Sequence, residues 1–429
     1  MGSTTKGGIK MDVLLQKFFE KERWEQALEL GVDKHIDKGE LRKLCSPAVR
    51  IQLYNAIATD NYEIAPPHQA EIPKDNGDIR IVYVNENIDR IFLSIANNLF
   101  FELFPEFVHP CCKSYQTGIG CGKIVQEVSR QMVNSAERQV GFKADLTKYF
   151  DTVPIRYIDD IFDRMENKIG KSKIIDIVRK YYHTDWCFDV NGDLIEHYQS
   201  LKQGCSVASF LADAVLYPID KALSELDVYY VRYSDDLMTL GNDYETAFTR
   251  LKFMLYDMNM SLNPKKVEPV YKDIWVKFLG FNIKGKQITL SKNRVKRFQK
   301  EIEARTVKQR DITLKRALNQ VNAYLYKGDG TYSWATSVLP IINVEKDIDT
   351  LNTYVMDALR ACATNKKKIG GLGSVNDKED YTILRGTGKN VTANRKKTET
   401  EIQGYYSINC MRQALLTRRA VFDTLVRSM

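Results

Sequence analysis

No stretch of this sequence approaches the ~18 consecutive apolar residues that a membrane-crossing helix needs, and no signal-peptide pattern opens it, so no membrane partner is expected. Cysteine occurs eight times, yet never in the CxxC spacing of a zinc arm or the paired spacing of a disulfide framework. That lack favours a reducing, cytoplasmic setting. His109, Cys111, Cys112 and Cys121 form the one grouping that could hold zinc, and buried small hydrophobes are the plainer reading of those cysteines. A nucleotide P-loop is missing as well. Gly118-Ile119-Gly120-Cys121-Gly122-Lys123 lacks the GxxxxGK[ST] spacing, and no clear apolar strand precedes it. It reads instead as a glycine-rich bend entering a helix over Ile124–Val133, close to a nucleic-acid backbone. Met1-Gly2-Ser3 reads as a cloning remnant rather than a myristoylation signal, because Lys6 stands where Ser or Thr is needed. There is no internal repeat. At 44% apolar and 28% charged residues, the composition excludes a disordered chain.

What is present begins with 429 residues, enough for a large core split into roughly two to four lobes. The formal charge of +8 is unevenly placed: residues 284–316 hold 12 Lys/Arg against 3 Asp/Glu, and residues 360–429 hold 14 against 6. Everything else is therefore acidic overall. A basic last third beside an acidic middle fits a polyanion held by one lobe and worked on by another, with a merely solvated basic surface as the alternative.

Residues 11–70 carry amphipathic helical patterning, from Leu14, Leu15, Phe18 and Phe19 through Trp24 to Leu53 and Ile57, ended by Pro66-Pro67. Ala70–Lys74 and Ile79–Val84 alternate like two strands around Asp75-Asn76-Gly77, a hairpin flanked by Lys74 and Arg80. A helix is expected from about Asp89 to Leu103. Val140, Phe142 and Ala144 alternate into a strand that delivers Asp145 at its end, with Phe150 and Asp151 beyond the turn and a helical run near Ile155–Met165. Ser200–Ser209 is a glycine bend running into the apolar helix around Phe210–Leu216. Gln203-Gly204 in that bend would let backbone and an amide side chain approach a flat ligand, although an ordinary loop-to-helix junction has the same composition.

Tyr229–Tyr233 and Leu237–Leu240 read as two strands around Ser234, Asp235 and Asp236, so adjacent acids sit at or beside a tight turn. A solvated turn is the plain alternative, since Asp favours turns. Pairing the strand that ends at Asp145 with this hairpin would bring three carboxylates to one sheet edge. Such a set repels itself unless divalent cations neutralise it, and Mg²⁺ held by carboxylates and substrate phosphates is the expected solution. A helix over Tyr244–Met258 follows, then Leu262-Asn263-Pro264-Lys265-Lys266. Val276–Ile283 is expected as a short strand pair with its turn at Lys284-Gly285-Lys286. A basic helical region over 291–327, a weakly structured stretch over about 364–404 and a last helix over about Cys410–Arg427 complete the chain.

In this order the motifs resemble reverse transcriptases, specifically the bacterial type related to group II intron and retron enzymes, over about residues 72–285. Gly77-Asp78-Ile79-Arg80 with Asp89-Arg90 looks like the first fingers block, and Ser114-Tyr115 like the second. Ala144-Asp145 to Phe150-Asp151 is similar to motif A. Gln203-Gly204 to Leu211-Ala212 is similar to motif B, and Tyr233-Ser234-Asp235-Asp236 to the YxDD of motif C. Leu262–Lys266 resembles motif D, and Phe278-Leu279-Gly280 resembles motif E. Ala208-Ser209 departs from the Ser-Pro usual in motif B, which argues against a standard group II intron enzyme. No X/thumb, HNH-like or RNase H signature follows, and this combination is similar to the bacterial anti-phage defence reverse transcriptases.

The resemblance implies an α+β right-hand polymerase. It would comprise an α-helical extension at 1–70, fingers at 71–143, a palm with an antiparallel sheet at 144–285 (finger helices inserted at about 155–200), a helical thumb at 286–360 and a basic extension at 361–429. It further implies RNA-directed DNA synthesis with two Mg²⁺ ions, Mn²⁺ substituting, and an RNA template, a DNA primer and product, and dNTPs as partners. A homo-oligomer is also open. Asp145, Asp235 and Asp236, with the Leu146 carbonyl, would be the metal ligands. Lys74 and Arg80 would meet the triphosphate, and Lys266, with Lys265 as its rival, would protonate the pyrophosphate. Phe150 would be the sugar gate against a 2′-hydroxyl, and Gln203 and Gly204 would shape the template–dNTP pocket. Residues 284–316 would supply the thumb's phosphate contacts. Two alternatives stay open: untemplated DNA synthesis of the abortive-infection type, and a non-catalytic, maturase-like RNA-binding protein.

Overall fold

The computed structural model describes residues 12–30, 36–74, 78–116, 118–328, 333–363 and 404–428. Asp75-Asn76-Gly77 and most of the 364–404 stretch lie outside the described residues. The chain divides into two compact units: Met1–Gln116 with Ala144–Thr239 and Asp243–Glu268, and Thr117–Lys143 with Leu240–Asn242 and Pro269–Met429.

The first unit opens with α1 (Val13–Phe18), α2 (Lys21–Leu30), α3 (Lys38–Leu44) and α4 (Pro47–Ala58). Their starts follow from local chemistry. The Asp12 carboxylate accepts from Leu15 N, Asp37 accepts from Gly39 and Glu40 N, and Ser46 Oγ accepts from Val49 N with Pro47 at the first helical position. β1 (His68–Pro73) and β2 (Ile79–Val84) pair antiparallel in the register Ile72↔Arg80 and His68↔Val84. α5 (Asn87–Leu103) buries Ile91, Phe92, Leu93, Ile95, Leu99 and Phe100. Each fully buried side chain of this kind contributes about 1.5–3 kcal/mol of transfer free energy, so this helix anchors the unit.

Farther along lie α6 (Cys121–Asn134), β3 (Val140–Asp145), α7 (Tyr149–Thr152), α8 (Ile155–Ile169) and α9 (Lys173–Tyr182). They are followed by β4 (Trp186–Phe188), β5 (Leu194–Glu196), α10 (Ala208–Val215), α11 (Tyr217–Ser224), β6 (Tyr229–Tyr233), β7 (Asp236–Leu240) and α12 (Tyr244–Asp257). One sheet has the order β2-β1-β4-β5. With β8 (Glu268–Tyr271), a second sheet has the order β6-β7-β3-β8. Setting β3 beside β7 is what carries Asp145 to the β6–β7 turn.

The second unit contains α6, whose preceding bend is closed by its own lysine: Lys123 Nζ donates to the Gly118 carbonyl (2.8 Å). Its small sheet has the order β11-β10-β9, with β9 at Val276–Phe278, β10 at Phe281–Lys284 and β11 at Gln287–Leu290. This corrects the expected strand pair. Leu279 and Gly280, both at positive φ (47° and 80°), make the first turn, and Lys284-Gly285-Lys286 leads into a third strand. α13 (Lys292–Ala304), α14 (Leu314–Asn322) and α16 (Glu345–Ala363) follow, α15 being the single turn Trp334–Ser337. The expected last helix is two, Ile408–Thr417 and Arg419–Arg427, broken at Arg418 (φ −139°, ψ 62°). Its approach is fixed by buried amides: Asn322 Nδ2 donates to the Gly404 carbonyl (2.8 Å), and Ile408 N donates to Asn352 Oδ1 (3.0 Å).

Candidate active site

The β6–β7 turn is strained and then pinned. Ser234 sits at φ 56°, a left-handed conformation that costs a non-glycine residue roughly 1–3 kcal/mol unless its surroundings hold it. Three groups do so. Ser234 N donates to Ser114 Oγ (3.0 Å), the Arg232 guanidinium donates to the Ser234 carbonyl (3.0 Å), and the Tyr115 hydroxyl lies 3.4 Å from Ser234 Oγ. Ser114 reaches the turn because Cys111–Lys113 runs parallel to β6, with Arg232 N donating to the Cys111 carbonyl (3.0 Å) and Lys113 N to the Arg232 carbonyl (2.9 Å).

Behind the turn lies a buried charge network that sequence patterning did not reveal. Arg232, Asp213 and Asp220 are each 0% exposed. Arg232 grips Asp220 through Nε (2.7 Å) and Nη2 (2.6 Å), and Nη2 also donates to the Asp213 carbonyl (3.0 Å). Tyr230 donates to Asp220 Oδ1 (2.8 Å) and Ser114 to Asp213 Oδ1 (2.5 Å), while Asp213 Oδ2 has no partner. Burial disfavours the Arg232 charge, but the facing Asp220 outweighs it and the guanidinium is held well above its ordinary range. For Asp213, burial outweighs the nearby Arg232 and pushes the carboxyl up to about 6. The only sequence signal was the presence of charges in otherwise apolar runs.

The Asp213 shift has a measurable consequence. Its folded-state value lies above its unfolded one, so the group's stabilising contribution is complete below pH ~4 and is lost as pH rises to about 6. Asp213→Asn should therefore flatten the fall in urea-unfolding free energy across that window by roughly 1–3 kcal/mol. Parallel wild-type and variant curves at pH 4, 5 and 6 would contradict the assignment.

The acids meet at the end of β3. Leu146 N donates to the Asp235 carbonyl (3.3 Å), Asn263 N to the Asp145 carbonyl (2.8 Å) and Thr147 N to the Ser261 carbonyl (2.8 Å), so the backbone is locked on both sides of Asp145. Asp145 is 4% exposed. Lys266, on a short turn in which Asn263 Oδ1 accepts from Lys265 N, places Nζ 2.6 Å from Asp145 Oδ2. It is Lys266, not Lys265, that meets Asp145. Burial pushes Asp235 up and the charge of Asp145 adds to it, against Lys266 and Arg80. Burial lowers Lys266, but its hydrogen bond to Asp145 and the charges of Asp145, Asp235 and Asp236 raise it overall. These four groups share one electrostatic field. Among the described residues, no three His, Cys, Asp or Glu side chains are drawn together as a metal-binding group.

Lys74 and Arg80 are exposed, and both act on Asp151, whose carboxyl is raised by burial and lowered by Lys148, Lys74, His197 and Arg80. The Phe150 carbonyl accepts from Leu201 N (3.1 Å), and the half-buried ring meets Tyr149 edge-on at 5.7 Å. The Gln203 carbonyl accepts from Tyr83 N (2.7 Å). Gly204 adopts φ +110°, and a Cβ there would lie 2.7 Å from the Tyr83 carbonyl oxygen. Backbone bonds thus tie β2, the Phe150 turn and the Gln203-Gly204 bend into one frame. His109, Cys111, Cys112 and Cys121 form no such centre: Cys112 Sγ is 3.1 Å from Ser114 Oγ, and His109 accepts from Cys111 N (3.3 Å).

Carboxylates in a shared field, an ammonium against one of them and a bend closing on a neighbouring strand are groups able to hold and transfer a phosphorylated substrate. The family described as reverse transcriptase (RNA-dependent DNA polymerase) matches residues 72–283. Among solved structures, the chain is similar to apo telomerase from Candida tropicalis, at 11% identity over 84% of this chain and 77% of that one, with a TM-score of 0.43. It is also similar to that telomerase truncated from its C-terminal domain, at 14% identity over 55% and 58%, with a TM-score of 0.41. A third is telomerase from Candida albicans in complex with a TWJ fragment of telomeric RNA, at 12% identity over 71% and 60%, with a TM-score of 0.38. The chain thus spans less than two thirds of the length of the last two. No curated protein matches it. Residues 72–283, which carry Asp145, Asp235, Asp236 and Lys266, form a reverse-transcriptase-like domain.

Proposed function

We propose that this chain is an RNA-directed DNA polymerase that makes cDNA from an RNA template, serving in bacterial anti-phage defence. The observation that carries the reading is the common field of Asp145, Asp235, Asp236 and Lys266 inside the matched domain. In this reading, residues 71–143 act as fingers, 144–285 as palm, 286–360 as thumb and 361–429 as a basic extension. The defence role rests on the resemblance of the ordered motifs to the bacterial enzymes, with Ala208-Ser209 where motif B usually carries Ser-Pro, and the cytoplasmic setting rests on eight cysteines without paired spacing. Among the described residues, no helix is long and apolar enough to cross a membrane.

The donors fit a hard divalent cation in kind. They are carboxylate oxygens, and Asp235, raised first by burial, is raised further by the charge of Asp145, a repulsion that a bound cation would relieve. Asp145, Asp235 and Asp236, with the Leu146 carbonyl, would hold Mg²⁺, Mn²⁺ substituting, and the ions would supply activation of the primer 3′-oxygen and stabilisation of the leaving pyrophosphate. The chain's own residues do the rest. Lys74 and Arg80 bind the triphosphate, one as a point charge and one as a planar fork. Gln203 and Gly204 form the flat face against the template–dNTP pair. Lys266 carries a proton beside Asp145 and can deliver it to the pyrophosphate oxygen. Phe150 closes the sugar side against a 2′-hydroxyl.

Labelled dNTP incorporation on a defined RNA template, with Mg²⁺ and with chelator, tests this reading: incorporation is expected only with the metal. Absence of incorporation on any template would leave a maturase-like RNA-binding protein. Phe150→Ala should lower discrimination against ribonucleotides by about 10²-fold, because a ring that meets the 2′-hydroxyl sterically is removed. Measured kcat/KM ratios for dNTP over rNTP that match wild type would remove the gate role.

A further inference from the structure

Lys202 is a fully buried lysine for which, among the described residues, no carboxylate ion pair is present. It sits at φ +51° in the bend that precedes Gln203-Gly204. Nζ donates to the Thr184 carbonyl (2.7 Å) and to Gln199 Oε1 (3.0 Å), and lies 4.7 Å from the centre of the Tyr181 ring. Its backbone is held as well: Lys202 N donates to the Gln199 carbonyl (2.8 Å), and its own carbonyl accepts from Cys205 N (2.9 Å).

Each neighbour of this ammonium connects to a part of the site. Tyr181 accepts from Asn85 Nδ2 (2.8 Å), just past β2. Leu201 N donates to the Phe150 carbonyl (3.1 Å), and the Gln203 carbonyl accepts from Tyr83 N (2.7 Å). The residues on either side of Lys202 therefore touch the sugar-gate turn and the strand bearing Arg80. We propose that Lys202 is a positioning residue whose buried ammonium keeps the Gln203-Gly204 bend in register with Tyr83 and Phe150, and so sets nucleotide affinity. The nucleotide half of this inference rests on the polymerase reading above.

Two physical points separate this role from simple packing. A buried ammonium without an ion-pair contact is not a net stabiliser: burial outweighs the charge of Asp185 and pushes Lys202 down to about 8. Removing its charge should therefore cost the fold little. Its two hydrogen bonds are directional, however, and an apolar side chain of equal length cannot reproduce them.

The test is Lys202→Met in the full chain, with two readouts. The KM for dNTP should rise about tenfold with kcat within about twofold of wild type, the signature of lost substrate binding rather than lost chemistry. Amide hydrogen exchange at Tyr83, whose N–H is given to the bend, should accelerate about tenfold without substrate. Gln199→Met, which removes one acceptor, should move both readouts the same way by less. Wild-type KM and Tyr83 exchange in folded Lys202→Met would overturn the proposal. So would a variant that fails to fold, or one in which kcat and thermal stability drop together, because Lys202 would then be a structural lysine. An inactive wild type would instead overturn the polymerase reading, while the exchange arm still judges the bend.

Discussion

Replacing Asp235 and Asp236 together by Asn is expected to reduce dNTP incorporation on RNA by at least about 10³-fold, equivalent to several kcal/mol of lost transition-state stabilisation. The fold should survive. Asp235 is already disfavoured as an anion by burial and by Asp145, so an isosteric amide relieves repulsion rather than breaking a bond the turn depends on. The turn is held from elsewhere, by Ser114 and Arg232 on Ser234. Loss of activity with an unchanged melting temperature is the expected pair of results. Full activity would remove these acids from the chemistry, and unfolding would mean that they serve the scaffold.

Arg232→Met should have the largest effect on stability. It leaves Asp220 and Asp213 buried without their shared guanidinium, and breaking such a set from one side costs roughly 3–5 kcal/mol. The same change frees the Ser234 carbonyl and so releases the β6–β7 turn. Adding Asp213→Asn and Asp220→Asn should recover more than half of the lost unfolding free energy. The amides need no counter-charge and still accept from Ser114 and Tyr230. Activity should not return, because the carbonyl of the strained Ser234 stays unpinned. Urea unfolding beside an incorporation assay separates the two effects. Activity returning with stability would mean that Arg232 does not hold the turn.

The parts of this site that were legible in the sequence are those set by short-range rules. Val140, Phe142 and Ala144 alternate within a few residues, so the strand ending at Asp145 could be read locally. The Tyr229–Leu240 hairpin was readable for the same reason, and with those two elements came the meeting of Asp145 with Asp235. Arg232 was not readable, because its partners lie on α11 and α10, 12 and 19 residues away, and a charge in a strand reads as solvated unless that packing is known. Lys202 was hidden similarly, as a polar residue in a polar-looking loop that the fold closes over. Ser234 carried no message in the sequence, yet its left-handed φ is the geometry that Ser114 and Arg232 hold in place. Elsewhere, the third strand Gln287–Leu290 is four residues between the Lys284-Gly285-Lys286 turn and the basic helical region that starts at 291, too short to show a period of its own. The break at Arg418 has neither Gly nor Pro to announce it.

The central claim is that this domain copies RNA into DNA using Asp145, Asp235 and Asp236. Its most direct test is to sequence the DNA made by the purified chain from a defined RNA, with and without that RNA, beside the Asp235→Asn/Asp236→Asn variant. The prediction is product complementary to the supplied RNA, only when it is supplied, and none from the variant. DNA of unrelated or homopolymeric sequence made without RNA would contradict templated synthesis, and product from the variant would contradict the site.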